Sequence, residues 1–159
     1  MPVEAIAEDL LGLRVAESND LEVSGMLLPA KREIWLNARE AEESPGRRRF
    51  TLAHELGHWV CQVQEGKTAP VFCRPVDVTE ATDRALEREA NVFAAELLMP
   101  EDLVGAEFPR AASAAELAGW FGVSAEAMSW RLYNFGLIAS RPGLTSDEDR
   151  RAGGDEIRT

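Results

Sequence analysis

The chain has 159 residues, of which 45% are hydrophobic, and its formal net charge at pH 7 is -11. This length and apolar content suffice for one domain with a hydrophobic core, and the negative charge argues against nonspecific binding to DNA or anionic lipid. The N-terminus lacks the basic and apolar regions of an export signal, and no stretch approaches the roughly 20 apolar residues of a transmembrane helix. We therefore expect a soluble, cytoplasmic protein with no membrane partner.

The N-terminal part of the chain predicts a short helix followed by a small sheet. The segment "VEAIAEDLLG" places apolar residues at helical spacing and ends at Gly12. Three strand-like runs follow, "LRVAES", "LEVSGMLL" and "REIWLN", with turn-forming residues between them. We expect three antiparallel strands, with a hairpin between the second and the third.

Two long helices are predicted in the middle of the chain. The first has Ser44 as a candidate N-cap, Pro45 in its first turn and Gly66 at its end. The second, "TDRALEREANVFAAELLMP", carries a broad apolar face and stops at Pro100. Both are long enough to pack against each other and against the sheet.

The C-terminal part predicts a pair of short helices and then a tail. "SAAELAGWFGVSAEAMSWRLYNFGLI" begins with a capping box, Ser113 and Glu116, and turns at Gly122. From residue 140 onward the chain is polar and has little to bury, which is typical of disorder. The predicted organisation is an α+β core over residues 1–108, a helix-turn-helix-like extension over 109–139 and a disordered tail over 140–159.

The chain's two histidines lie in the first long helix, in "HELGH". Residues four apart share a helical face, so His54 and His58 can offer both imidazoles to one metal ion. Glu55 projects beside them, where a catalytic metal site needs a base for the water at its open position. Two histidines at this spacing can also be structural, but the complete His-Glu-x-x-His pattern with its apolar backing favours a metal site.

A third protein ligand is required, and the second long helix is its natural source. Glu87 shares a face with Ala90, Asn91 and Ala94, and the small residues on that face permit close approach to the first helix. Glu89 falls on another face and is predicted to point to solvent. Asn91, one turn after Glu87, is a candidate for orienting a ligating histidine through its other ring nitrogen.

The two segments "RRRFTLAHELGHWV" and "LEREANVFAAELLMP" together resemble the ImmA/IrrE family of metallopeptidases, and the similarity extends from about Val3 to Ile138. The resemblance implies a zincin-like fold with a small sheet packed on the metal helix. It implies that the metal ligands are His54, His58 and Glu87, and that Glu55 is the catalytic acid and base. It also implies that the substrate is a partner transcriptional repressor, often one with a helix-turn-helix domain. Zn²⁺ is the expected ion, although Mn²⁺ and Fe²⁺ suit the same ligands.

Several catalytic details stay open at this stage. In zincins the substrate usually lies extended along an edge strand, and a strand within "VSGMLLPAKREIWLN" is the candidate. The group that stabilises the oxyanion could be Tyr133 or Arg131, although packing is the favoured role for Tyr133. Cys61 and Cys73 are expected to be reduced thiols, and inhibition of the metal by a Cys73 thiolate is not favoured.

Two other functions compete with peptidase activity. The extension could be a DNA-binding helix-turn-helix beside a structural metal site, but between Ala111 and Arg141 Glu116 and Glu126 balance the two arginines, Arg131 and Arg141. This zero net charge offers no basic stripe, so direct DNA binding is not expected and packing or substrate docking is favoured. A protein that binds a metal and a partner without catalysis would not need Glu55 beside an open position.

Overall fold

The computed structural model describes residues 1–66, 72–73 and 81–143, which form an α+β fold. The predicted α+β class is therefore confirmed. Most of the predicted tail, from residue 144 on, lies outside the described residues, as do residues 67–71 and 74–80.

The N-terminal helix α1 covers Val3–Ala5 and continues in wider π-helical turns over Ile6–Leu10. Val3 and Ala7 are buried and attach the helix to the core. The chain leaves the helix at Gly12, whose φ of 63° lies in the left-handed region that glycine adopts without strain. The predicted helix and its stop signal are both confirmed.

Within the described residues, the sheet contains four strands in the order β1-β3-β2-β4. They are β1, Arg14–Ser18; β2, Gly25–Leu28; β3, Glu33–Asn37; and β4, Phe72–Cys73. The predicted hairpin is confirmed, because β2 runs antiparallel to β3 across a short turn at Pro29–Lys31. β4 pairs antiparallel with β2 on its other side.

The expectation of three wholly antiparallel strands is wrong, because β1 pairs with β3 and runs parallel to it. β3 carries Ile34 and Leu36, which are 0% and 1% exposed, and it occupies an interior position in the sheet. β1 therefore meets β3 rather than β2, and because the chain reverses direction twice between them, β1 and β3 point the same way. The sheet is mixed as a result.

The described residues form six further helices, two before β4 and four after it. They are α2, Ala38–Glu43; α3, Pro45–His58, which continues in π-helical turns over Trp59–Val63; α4, Ala81–Leu98; α5, Glu101–Glu107; α6, Ala114–Phe121; and α7, Ala125–Asn134. The start of α3 is as predicted, since the Ser44 hydroxyl accepts a hydrogen bond from the Arg47 amide at 3.3 Å. α2 and α5 were not predicted. α2 is capped by Asn37, whose side chain accepts from the amides of the first turn.

The pair α6 and α7 is attached to the start of α3. A Cβ added to Gly46 would lie 2.9 Å from the carbonyl carbon of Val123, so the two backbones touch there. The Arg49 Nε atom donates to the Gly122 carbonyl at 3.0 Å. Leu52 of α3 and Leu132 of α7 belong to one buried cluster. The division into a core and an extension at residue 108 stays a prediction.

None of the described helices is both long enough and apolar enough to span a bilayer.

Candidate metal centre

The site is built where α3 and α4 cross closely. A Cβ at Gly57 would lie 2.8 Å from the Cα atom and 2.9 Å from the carbonyl oxygen of Ala90, so only a hydrogen fits between the helices. Ala90 and Ala94 are fully buried on the facing side of α4. This short interhelical distance lets polar side chains one turn from the contact meet directly.

His54, His58 and Glu87 are brought together at this crossing. The two Nε2 atoms of the histidines lie 3.0 Å apart, and Glu87 reaches both of them, at 3.1 Å from His54 and 3.2 Å from His58. Both imidazoles are fully buried, while the Glu87 side chain is 19% exposed. Among the described residues, these three side chains form a group that could hold a metal ion. Their ligand atoms all lie within 4.8 Å of one another.

The donor separations fit a small divalent ion. Ligands at tetrahedral angles with bonds of about 2.0 to 2.1 Å are separated by roughly 3.3 Å, close to the distances among these three side chains. Two neutral imidazoles and a carboxylate are also the donor types of three-ligand zinc sites that keep one position for water. The His-His-Glu group can therefore bind a metal ion without rearrangement of its helices.

Each imidazole is held by an amide side chain at its Nδ1 atom. The Asn91 Oδ1 atom lies 3.0 Å from Nδ1 of His54. The Gln62 Oε1 atom lies 2.7 Å from Nδ1 of His58. Because an amide oxygen accepts only, Nδ1–H donates in both cases, and each Nε2 atom faces the centre of the site, where it can bind an ion or, when protonated, donate to Glu87.

Gln62 was not among the predicted site residues. It is fully buried, and its Nε2 atom donates to the Leu86 carbonyl oxygen at 2.8 Å. One side chain thus links His58 to the backbone next to Glu87. Its position four residues after His58 is the signal in the sequence that could have identified it.

The prediction that Glu89 points to solvent is wrong. Glu89 is partly buried, and its Oε2 atom lies 3.4 Å from the Gln62 amide. The tight crossing at Gly57 brings Gln62 of α3 close enough to this side of α4 to make the contact.

The electrostatics of the site favour a cation. Burial alone would raise the pKa of Glu87, but hydrogen bonds from His54 and His58 outweigh it and lower that pKa to about 2. Burial likewise acts to lower the pKa of His58, yet the contact with Glu87 and the charge of Glu55 raise it above its ordinary value. Positive charge at the imidazoles is therefore stabilised, whether a proton or a metal ion carries it.

Glu55 is fully buried beside this group but outside it. It lies on the side of α3 that faces β2, where a Cβ at Gly25 would come within 3.0 Å of the Glu55 Oε1 atom and 2.6 Å of the Thr51 Cγ2 atom. Gly25 thus provides the space that the Glu55 carboxylate occupies. The structure places an acid next to the His-His-Glu group without making it a member of that group.

The remaining predicted side chains lie elsewhere. The ring of Tyr133 packs edge-on against Trp130 at 6.1 Å. The Arg131 Nε atom donates to the Met99 carbonyl oxygen at 2.9 Å, and its guanidinium stacks on Phe135. Among the described contacts, none joins Tyr133 or Arg131 to the histidines. The side chain of Cys73 lies outside the described residues.

Residues 9–133 match the Peptidase_M78 family, described as the IrrE N-terminal-like domain. The chain belongs to this family. The resemblance inferred from the two sequence motifs is thereby confirmed, and membership supports a hydrolase of the metallopeptidase type. A comparison with curated protein sequences gave no significant match.

One solved structure with the same fold is a "Mycobacterium tuberculosis transcriptional regulator". The TM-score is 0.61 at 22% sequence identity, and the match covers 89% of this chain and 41% of that one. The likeness supports the shared fold alone, and the chain spans about two fifths of the length of that protein.

Proposed function

We propose that the protein is a zinc-dependent endopeptidase that cleaves a partner transcriptional repressor or another regulatory protein, and that it works in the cytoplasm. The observation that carries the proposal is the buried group of His54, His58 and Glu87 with Glu55 next to it but outside it. A purely structural metal site has no need for such an additional acid. The donor set also accepts Mn²⁺ or Fe²⁺.

In this proposal the side chains have three roles: binding the ion, orienting the imidazoles and transferring the proton. His54, His58 and Glu87 hold the ion, and Asn91 and Gln62 keep the two imidazoles oriented through Nδ1. When bound, a Zn²⁺ ion lowers the pKa of a coordinated water to about 7 and polarises a peptide carbonyl. Glu55 accepts a proton from the attacking water and passes it to the leaving amine.

An extended substrate cannot add to β2 or β3, the two strands within the segment that the sequence analysis named for this role. β2 and β3 each have a neighbour on both sides, so neither is an edge of the described sheet, whereas β1 and β4 are edges. β4 adjoins β2, the strand whose Gly25 faces Glu55. We therefore place an extended substrate along β4, where backbone hydrogen bonds can be added.

The alternative is a regulator that binds DNA, or a partner, through α6 and α7 and uses the metal only for stability. The charge of the segment from Ala111 to Arg141 gives it little support, because two acidic and two basic residues cancel. The solved structure named a transcriptional regulator shares the fold, and its name describes that protein. Salt-sensitive, metal-independent binding in an electrophoretic mobility shift assay would favour this alternative.

Co-expression with a repressor encoded by a neighbouring gene tests the proposal, with metal content and repressor cleavage as the two readouts. We expect the unaltered protein to cleave, Glu55→Gln to keep its metal but cleave about 100-fold or more slowly, and Glu87→Ala to lose metal. Glu96→Ala, at an exposed position on the same helix, is the matched control and should behave like the unaltered protein. Undiminished cleavage by Glu55→Gln would refute the mechanism.

A further inference from the structure

An open groove runs between α4 and α7 beside the candidate metal centre. Its cavity volume is about 730 Å³. Glu87 and Asn91 form part of its wall, so the groove begins at the side chains that contact the two histidines. Phe50, one helical turn before His54 on α3, lines it as well. A polypeptide held at the metal would place neighbouring side chains in this groove.

The groove combines basic groups with an apolar surface. The basic groups are Arg84 and Arg88 on α4 and Arg131 on α7. The apolar surface includes Phe50, Met99 and Trp130. Glu87 is the carboxylate among the lining residues, and its oxygens are directed at the histidines. A cluster of three arginines is unexpected in a chain with a net charge of -11.

The arginines of α4 are not neutralised by acids of the described chain. Arg84 and Arg88 are exposed, and neither forms an ion pair with a described residue. They are four residues apart on one helical face, an arrangement of like charges that destabilises a helix slightly. A ligand carboxylate would relieve that repulsion.

Arg131 closes the opposite side of the groove. Burial lowers the pKa of Arg131, so part of its hydration has been lost. Its nearest described carboxylate, Glu96, is 4.0 Å away and lies mostly in solvent. The groove therefore has positive potential on both walls, over a floor that favours apolar side chains.

We propose that this groove selects substrates in which acidic side chains alternate with large apolar ones next to the scissile bond. Arg84 and Arg88 pair with the carboxylates, for which the guanidinium geometry is well suited, and Trp130 contacts the apolar side chain. This inference rests on the proposed peptidase function and names the substrate class for it.

Two other ligands could occupy the groove by pairing negative charges with its arginines. Nucleic-acid phosphates also pair with arginines. The chain's own acidic residues 147–149 follow shortly after Gly143, and Arg141 stacks on Trp130 of the groove. The combination of arginines with an apolar surface favours a peptide over a phosphate backbone, and the experiment below separates the three occupants.

The test is fluorescence anisotropy with the full-length Glu55→Gln protein, which cannot turn over a bound peptide in the proposed mechanism. The probes are two fluorescein-labelled 12-residue peptides, one alternating Glu with Leu and the other Lys with Leu. We expect the Glu peptide to bind about tenfold more tightly, in opposition to the chain's overall negative charge. Replacing both Arg84 and Arg88 by Gln should weaken that binding by about three- to tenfold. Arg110→Gln, a control at an exposed arginine outside the groove, should change nothing.

Equal binding of the two peptides, or an equal loss in the Arg110→Gln control, would overturn the proposal. So would tighter binding of a 12-nucleotide oligothymidine, which indicates a nucleic-acid site, or peptide binding that begins only after removal of residues 144–159, which indicates the tail. Because no cleavage is measured, the result is independent of the proposed function. Selective peptide binding together with an inactive unaltered protein would refute only the peptidase.

Discussion

The crossing of α3 with α4 and the pair α6 and α7 use polar side chains in opposite ways. At the crossing, His54, His58 and Gln62 are fully buried and contact one another or Glu87. In the pair, the polar contacts include surface caps, such as the Ser113 hydroxyl that accepts from the Glu116 amide, and Trp120 is 50% exposed. Burying polar groups costs free energy unless each of them is hydrogen-bonded. A buried polar cluster is therefore more expected at a functional site than in ordinary core packing, and we interpret the first region in this way.

Metal removal should cause the largest difference in hydrogen-exchange protection between the two regions. At a free Zn²⁺ concentration about 100-fold above Kd, binding raises the free energy of unfolding by about 2.7 kcal/mol. Hydrogen exchange should show the added protection in α3 and α4 and much less in α6 and α7. A chelator should remove it, Glu87→Ala should abolish it, and Glu96→Ala should retain it. Protection that persists in Glu87→Ala would show that the ion is not bound at the crossing.

The same substitution in the two regions should have opposite effects on stability. Gly57→Ala places a methyl group against the Ala90 backbone and should lower the free energy of unfolding by about 1 to 3 kcal/mol. Gly119→Ala, in α6, has no atom within 4 Å of the new Cβ and should raise it by about 0.5 to 1 kcal/mol. Urea denaturation measures both. A stable Gly57→Ala protein would contradict the close helix crossing.

The amide side chain behind His58 should control metal affinity. Gln62→Ala leaves Nδ1 of His58 and the Leu86 carbonyl without this partner, and we expect Zn²⁺ affinity to fall by about ten- to 100-fold. Gln64→Ala, at an exposed position two residues on, is the control. Competition with a chromophoric chelator gives both affinities. If the two variants bind equally well, Gln62 does not orient the histidine.

The pH dependence of the metal-free protein should be small and specific to the crossing. The raised pKa of His58 contributes stability that is complete below about 6.5 and is lost as the pH rises through the folded-state value. The lowered pKa of Glu87 contributes stability that is present above about 4.5 and is lost as the pH falls toward 2.

The metal-free protein should therefore become less stable as the pH rises from 6 to 8. His58→Gln should flatten that decline, which thermal melts in a chelating buffer would show. With Zn²⁺ present the trend should reverse, since the ligands must lose their protons to bind the ion. A decline of the same size in His58→Gln would place its origin elsewhere.

Local signals predicted much of the fold and most of the candidate site. Ser44, Pro45 and Gly12 define helix ends through their own backbone preferences, and the structure uses each of them there. The spacing of His54 and His58, and of Glu87 from Ala90 on α4, places side chains on faces without any knowledge of the fold. Those signals are short in range, so they can be recognised in one sequence.

The missed features depend on information that is not local. Strand propensity cannot say which strand lies between two others, so the parallel pairing of β1 with β3 was not predicted. The short helix α2 is rich in charged residues, and its clearest signal is the cap at Asn37. Gln62 and Glu89 meet only because Gly57 allows the helices to touch.

If His54, His58 and Glu87 hold one ion while Glu55 stays outside its ligand shell, the ligands can be identified without a substrate. The measurement is X-ray absorption at the zinc edge of the metal-loaded protein. We expect two imidazole nitrogens and only oxygen besides, with the same spectrum and the same metal content in Glu55→Gln. Sulfur in the ligand shell, or a spectrum that changes when Glu55 is replaced, would contradict it.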